Sequence, residues 1–387
     1  MILGQHLRKL NRRFIFGAIL FLLGSLSVFA DFTTPRELAR PVDGAGGPSI
    51  ATFEQNIYVT WSGNGNIYLI TSTDGGENFS LPRIIFSAGG LFGLAAADDG
   101  TVYAAFARVE GSYGQIIVAR STNRGETFTQ RVVSDRWSIS GDCSPFRPLK
   151  LDAGFGRVYV LWKGRQWPAG LGCDTYIATS QDQGTTWSAP REIPSPHETC
   201  YEICRDRTPF RVEDFFVDGH SKKHTLMLGP YNREYPARCQ PIVPFYLSPF
   251  GAIPLIAGRD ASPSVLSAKL AASYNAIHVL YRQYDSLRYT RSVDEGISFS
   301  SGTIIYDGNP SGFLVATDYW GTLAIGWVTS NGFFLRLSYD DGQTCTSPQN
   351  LTRSGDIALA FDPLGVLHIV WSEGSPGRIV YVRSIPE

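Results

Sequence analysis

The residues of this 387-residue chain most suited to chemistry gather in one stretch, between positions 137 and 240. Cys143-Ser-Pro-Phe-Arg147 and Cys204-Arg-Asp-Arg-Thr-Pro-Phe-Arg211 read as one pattern written twice. Each ends in a guanidinium, whose planar fork matches a carboxylate or sulfate bidentately. Lys163 and Arg282 close two apolar runs and add two further cations. Tyr201, Glu202 and Asp206 lie together in a long irregular stretch, and two carboxylates there have the makings of a general acid and a general base. The competing reading is that these charges pair with one another on a solvated rim, as surface charges usually do. Trp137, Trp167 and Tyr231 are candidate aromatic platforms, each with a flat apolar face and a polar tip.

Other chemistries lack their residues. His278 and His368 fall in strand-like runs and His220 and His224 in a turn, none at metal-ligand spacing with Cys or a carboxylate. Neither a phosphate-cradling glycine loop nor a nucleophile elbow is present, and no cofactor is implied. The 34 basic and 35 acidic residues balance, so the basic field of a nonspecific nucleic-acid binder is missing.

The elements that must position these residues are strands. Abundant Gly, Tyr and Phe with two Met favour strands and tight turns over a helical bundle. A β-branched and aromatic run recurs as Ile57-Tyr-Val-Thr-Trp61, Val102-Tyr-Ala-Ala-Phe106, Val158-Tyr-Val-Leu-Trp162, Ile277-His-Val-Leu-Tyr281, Leu323-Ala-Ile-Gly-Trp327 and Leu367-His-Ile-Val-Trp371, with a weaker copy at Thr225-Leu-Met-Leu-Gly229. A second pattern, Ser-x-Asp-x-Gly-x-x-aromatic, recurs around Asp74, Asn123, Asp182, Asp294 and Asp340; the last copy has Cys345 at the aromatic position. Its physics is that of a turn: the side-chain oxygen takes backbone N–H groups of its own loop, and glycine supplies the positive φ. These five side chains are therefore expected to staple turns rather than act as acids or ligands.

This second pattern is the Asp-box, and the chain resembles the sialidase-type (BNR repeat) β-propellers over nearly all of its length after residue 30. The resemblance implies an all-β propeller of four-stranded antiparallel blades, with strands a to d running outward. Seven units are countable, one more than in the best-known sialidases, so six blades is the alternative. The fourth unit would carry a decayed box near Ser248-Pro-Phe-Gly251. The seventh stops before its strand d. Asp31-Phe-Thr-Thr-Pro35-Arg-Glu-Leu38 matches Thr186-Trp-Ser-Ala-Pro190-Arg-Glu-Ile193 and is expected to supply it, so that the two chain ends pair. Such closure removes exposed sheet edges.

In such a blade the d–a and b–c connections open on one face, and the a–b turns and boxes on the other. The long connections, around 135–148, 163–174, 195–211 and 230–240, all fall on the d–a/b–c face of blades three and four, which marks it as the functional face. Arg147, Lys163, Arg211 and Arg282 would ring the axis there. Disulfides Cys143–Cys173 and Cys204–Cys239 are expected to tie these loops, with Cys200 competing for Cys239, and Cys345 is expected to be a buried thiol on the other face.

The resemblance also implies three carboxylate-binding arginines, a Tyr–Glu nucleophile and an Asp acid/base. The chain departs from this: Pro41 to Pro48 lacks the Arg-Ile-Pro motif, and Asn309-Pro310-Ser311-Gly312 stands where the nucleophilic tyrosine belongs, with Tyr306 already on a strand d. The leading expectation is a sialidase-like propeller that binds an acidic glycan on the d–a/b–c face. A glycoside hydrolase or lyase with unconventional residues is the second, and a protein-interaction scaffold the third. Arg8, Lys9, Arg12 and Arg13 precede an apolar run ending at Val28-Phe29-Ala30, the pattern of a cleaved export signal. The expected organisation is thus a signal peptide over 1–30 and a propeller over 31–387, periplasmic or extracellular and not membrane-bound after cleavage. Oligomeric state is left open.

Overall fold

The computed structural model describes residues 31–40, 47–87, 90–111, 113–134, 137–138, 148–166, 174–193, 211–217, 222–230, 242–248, 251–256, 265–352, 355–374 and 377–385. These form a seven-bladed β-propeller of four-stranded antiparallel blades. The first strand, β1 (Arg36–Ala39), belongs to the last blade. Blade one is β2 (Ser49–Phe53), β3 (Asn56–Gly63), β4 (Asn66–Ser72) and β5 (Arg83–Ser87). Blade two is β6 (Gly90–Ala96), β7 (Val102–Glu110), β8 (Tyr113–Ser121) and β9 (Thr129–Val132), followed by a short β10 (Trp137–Ser138). Blade three is β11 (Pro148–Gly154), β12 (Arg157–Gln166), β13 (Asp174–Ser180) and β14 (Arg191–Glu192). Blade four is β15 (Arg211–Val217), β16 (Lys223–Pro230), β17 (Ile242–Ser248) and β18 (Gly251–Pro254). Blade five is β19 (Val265–Ala272), β20 (Ile277–Gln283), β21 (Ser286–Ser292) and β22 (Thr303–Asp307). Blade six is β23 (Gly312–Thr317), β24 (Leu323–Thr329), β25 (Gly332–Ser338) and β26 (Gln349–Thr352). Blade seven is β27 (Ile357–Phe361), β28 (Leu367–Glu373) and β29 (Arg378–Arg383), completed by β1.

Each inner strand lies against the inner strand of the next blade, and β27 lies against β2, so the ring is closed. The chain ends make this closure: Arg36 faces Tyr381, Glu37 faces Val380, and Phe32 bridges to Ser384. Strand b of each blade is covered on both faces by its neighbours, which is why it reads as a continuous apolar run rather than an alternating one. Its terminal Trp stacks on the ring directly across the hairpin, Trp61 on Tyr68 and Trp327 on Phe334, with centroids 5.5 and 5.7 Å apart.

At five c–d turns the serine hydroxyl donates to the Asx side chain and accepts from the glycine N–H two residues further on. In blade one Ser72 Oγ lies 2.8 Å from Asp74 Oδ1 and 2.9 Å from Gly76 N, and Asn78 N donates to Asp74 Oδ1 at 2.8 Å. The same bonds recur at Asn123, Asp182, Asp294 and Asp340. Asp74, Asp182 and Asp294 are held at about 2 because the hydrogen bonds of their own turns favour the carboxylate. Arginines tie three of these turns to the preceding blade by a backbone carbonyl: Arg83 reaches Glu126 O, Arg291 reaches Asp341 O, and Arg36 reaches Glu77 O.

One local expectation is met and one needs correction. The c–d turn of blade four falls where the decayed copy of the box was expected, with Ser248 pairing with Gly251 across it. His224 lies within β16 rather than in a turn, buried, with Nδ1 2.7 Å from Tyr246 Oη. His278 with Tyr289 and His368 with Tyr381 repeat this pair in blades five and seven.

Candidate functional site

On the long-loop face, blades two and three are joined by a short strand. β10 pairs on one side with β8, Trp137 facing Gly114, and on the other with β12, Trp137 facing Gln166. It therefore zips two blades into one continuous sheet. Trp137 is 1% exposed and packs on Tyr176 and Trp162, with centroids 4.3 and 5.9 Å away. This corrects its reading as a surface platform: its backbone is a strand and its indole is core. The strand was not legible because a two-residue pairing leaves no periodicity to read.

Below this wall, charged side chains stand on the inner strands of blades three to five. Lys150 and Asp152 are on β11, Glu213 and Asp214 on β15, and Lys269 on β19. Register places Asp152, opposite Tyr159, and Asp214, opposite Leu226, at matching positions of adjacent blades. Lys150, opposite Leu161, and Lys269, opposite Leu280, match one another one pleat nearer the loop face. Lys150 Nζ lies 3.2 Å from Asp214 Oδ1, and 36% of the Lys150 side chain is open where Asp214 shows only 8%. Every residue of β23 and β27 is half-buried, so solvent runs along the inner strands.

The carboxylates also join blades. Asp152 Oδ2 accepts from Val217 N of blade four at 2.7 Å, and its Oδ1 from Ala153 N at 2.9 Å. Asp214 Oδ2 accepts from Leu270 N of blade five at 3.0 Å, and its Oδ1 from Phe215 N at 2.9 Å. Similar contacts give opposite titration. Burial pushes Asp152 up to about 6, against the pull of Lys150 and its two N–H donors. Burial also raises Asp214, but Lys150 and Lys269 together with the Leu270 and Phe215 N–H groups outweigh it and hold the group below the ordinary carboxylate range. Two neighbouring carboxyl groups are thus poised apart, one to hold a proton and the other to remain ionised. Lys150 is raised, since the two carboxylates outweigh its burial.

Of the residues singled out by sequence, Arg211 opens β15 and faces Leu228, and Lys163 lies half-buried on β12 facing Thr175. Arg282 donates from Nη1 to Asn309 Oδ1 at 3.0 Å and to Pro310 O at 3.1 Å, so it clamps the connection into blade six. Arg147, Trp167, Tyr231, Tyr201, Glu202, Asp206 and the cysteines Cys143, Cys173, Cys200, Cys204 and Cys239 lie outside the described residues. Cys345 is a free, half-buried thiol, raised by burial. Among the described residues no group of three or more His, Cys, Asp or Glu side chains could hold a metal ion. The inner-strand charges went unnoticed in the sequence, although a signal exists. Asp152, Asp214 and Lys269 interrupt apolar strands where blade one has Ser-Ile-Ala-Thr-Phe.

No protein-family model matches the chain, and no curated protein matches it. Solved structures do. An α-L-arabinanase from Penicillium chrysogenum complexed with arabinobiose is 12% identical, with a TM-score of 0.52 over 91% of this chain and 98% of that one. An ulvan lyase bound to a GlcA–Rha3S unit is 12% identical, with a TM-score of 0.50 over 79% of this chain and 80% of that one. The β-propeller domain of the Trilobed protease from Pyrococcus furiosus is 10% identical, with a TM-score of 0.53 over 89% and 96%. At such identities the likeness is one of fold.

Proposed function

We propose that this chain is an exported, sialidase-like propeller that binds an acidic carbohydrate at the d–a/b–c mouth over blades three to five. The observation that carries this reading is Lys269, level with the Asp214-paired Lys150 and one pleat nearer that mouth than Asp152 and Asp214. Inner strands need no charge to pack, as β2 and β23 demonstrate. A carboxylate or sulfate entering the mouth would meet Lys269, and Arg211 opens β15 at the same register position, facing Leu228. Two of the structures named above act on carbohydrate, and the lyase holds an acidic sugar, which supports the same ligand class. The export reading rests on the basic and apolar leader of residues 8–30. Screening the protein on a glycan array with uronic-acid, sialylated, sulfated and neutral sugars tests this. Selective retention of acidic glycans is expected, and uniform absence of binding removes the proposal.

One observation favours a catalytic version. Asp152 near 6 could donate a proton while ionised Asp214 accepts one, the division of labour that hydrolysis or elimination at a sugar requires. Tyr201, Glu202 and Asp206 belong to the same reading as candidates from the loop. Release of reducing ends or of unsaturated uronate from bound glycan distinguishes it. Turnover lost in Asp152→Asn with binding retained is the outcome it requires.

A further inference from the structure

The opposite face of the disc carries a feature the fold does not require. The a–b turns of blades one and two present Glu54-Gln55 and Asp98-Asp99 to solvent, as solvated turns normally do. At the equivalent turns blades five and six present Tyr274, Tyr319 and Trp320, which are 57%, 43% and 58% exposed. The turn geometry is shared: Gly100 N bonds back to Ala97 O, and Gly321 N bonds back to Asp318 O, across turns of the same length. Blades three and seven each expose one apolar side chain at this turn, Phe155 and Leu364, whereas blades five and six bring aromatic rings together, and the turns of blades one and two fold without any.

The three rings form one faceted cluster. Tyr274 and Tyr319 have centroids 5.4 Å apart, and Trp320 meets Tyr319 edge-on at 5.0 Å. Their backbones are fixed across the blade boundary. Tyr274 N donates to Tyr319 O at 3.1 Å, Trp320 N donates to Asp318 Oδ1 at 2.9 Å, and Ser273 Oγ donates to Asp341 Oδ1 at 2.7 Å. Asn275 reaches the other oxygen of Asp341 at 3.4 Å and lies exposed beside the rings. A rigid aromatic cluster loses little freedom on binding.

We infer that Tyr274, Tyr319 and Trp320 form a second ligand site, on the a–b turn face, for a neutral oligosaccharide. Although Tyr339 and Leu364 are exposed on the same face, the contacting rings cover far less than the roughly 20–30 residues a side of a stable protein interface. They suffice for stacking of one or two sugar rings, whose hydroxyls would find the amide of Asn275 and the ring-edge O–H and N–H groups. Asp341 beside the platform has the Arg291 guanidinium on its backbone carbonyl at 2.7 Å, so the charges at this edge offset one another, in keeping with a neutral sugar. This site stands on observations separate from those of the mouth.

Isothermal titration of arabino-, xylo-, manno- and chito-oligosaccharides against wild type, Trp320→Ala and Tyr319→Ala tests it. Melting temperatures serve as the control for folding. Binding of at least one neutral series is expected, weakened tenfold or more in Trp320→Ala at unchanged melting temperature, as loss of an aromatic anchor does. Trp61, Trp137, Trp162, Trp327 and Trp371 are fully buried, so the exposed Trp320 should also report binding by fluorescence. Arg211→Ala should leave this binding intact whatever it does to acidic glycans, which separates the fate of this site from that of the mouth. No neutral series bound by wild type, equal affinity in the folded Trp320→Ala variant, or concentration-dependent dimerisation abolished by Trp320→Ala would each overturn the inference.

Discussion

Asp152 and Asp214 occupy equivalent positions of neighbouring blades yet titrate in opposite directions, because only Asp214 has the lysines of both flanking inner strands about it. The linkage consequence is specific. A carboxyl held at about 6 in the folded chain and near 3.9 when unfolded favours the fold in its protonated form. Its contribution is present below pH ~4 and is lost as pH rises through about 6. Asp152→Asn should therefore flatten the melting temperature between pH 4 and 7, read by calorimetry across that range. An unaltered slope would mean that another group carries it. Lys150→Met leaves Asp214 with Lys269 and two backbone donors, so the loss should be about 1–3 kcal/mol. That is less than the 3–5 kcal/mol of a fully buried broken pair, because a third of Lys150 is open. Urea denaturation measures it.

At the scale of elements, the Ser-x-Asp turns show how a short motif sets blade spacing. Gly342 has φ +77°, and a Cβ there would lie 1.8 Å from Tyr289 Oη of the preceding blade. Gly76 meets Tyr381 in the same way across the closure between blades seven and one. Gly65 has a similar φ of +71° but nothing within 4 Å. Gly342→Ala should thus cost roughly 2–4 kcal/mol, strain plus overpacking, and Gly65→Ala about 1 kcal/mol, strain alone. Similar losses in both would place the whole effect in the backbone. These turns were legible because glycine and Asx at fixed spacing are demanded by local geometry. β10 was not, since it leaves no period or breaker pattern, whereas Ser248-Pro-Phe-Gly251 marked the turn of blade four. The inner-strand charges were hidden for another reason: a strand a reads like any other strand until the ring places it beside the channel.

The whole molecule depends on its two ends. β1 contributes Leu38 and Ala39 to the core between blades seven and one, and Phe32 packs into the core shared by blades six and seven. Deleting residues 31–40 opens the ring at one edge and should lower stability by several kcal/mol. A melting curve identical to that of the full chain would mean that closure does not rest on this strand. The seven units were readable in the sequence because they are periodic, and the closure because the first strand repeats the pattern of a strand d; the candidate site was legible only as a cluster of long connections, and the inner-strand charges beneath it were not. The central claim, that the mouth over blades three to five takes an acidic sugar, is tested most directly by titrating one acidic oligosaccharide against wild type, Lys269→Met and Arg211→Ala. Each cation removed should weaken binding by roughly tenfold or more, the worth of one charge-assisted contact at ~1.5–3 kcal/mol, with melting temperature preserved. Equal affinity in all three folded proteins would contradict it.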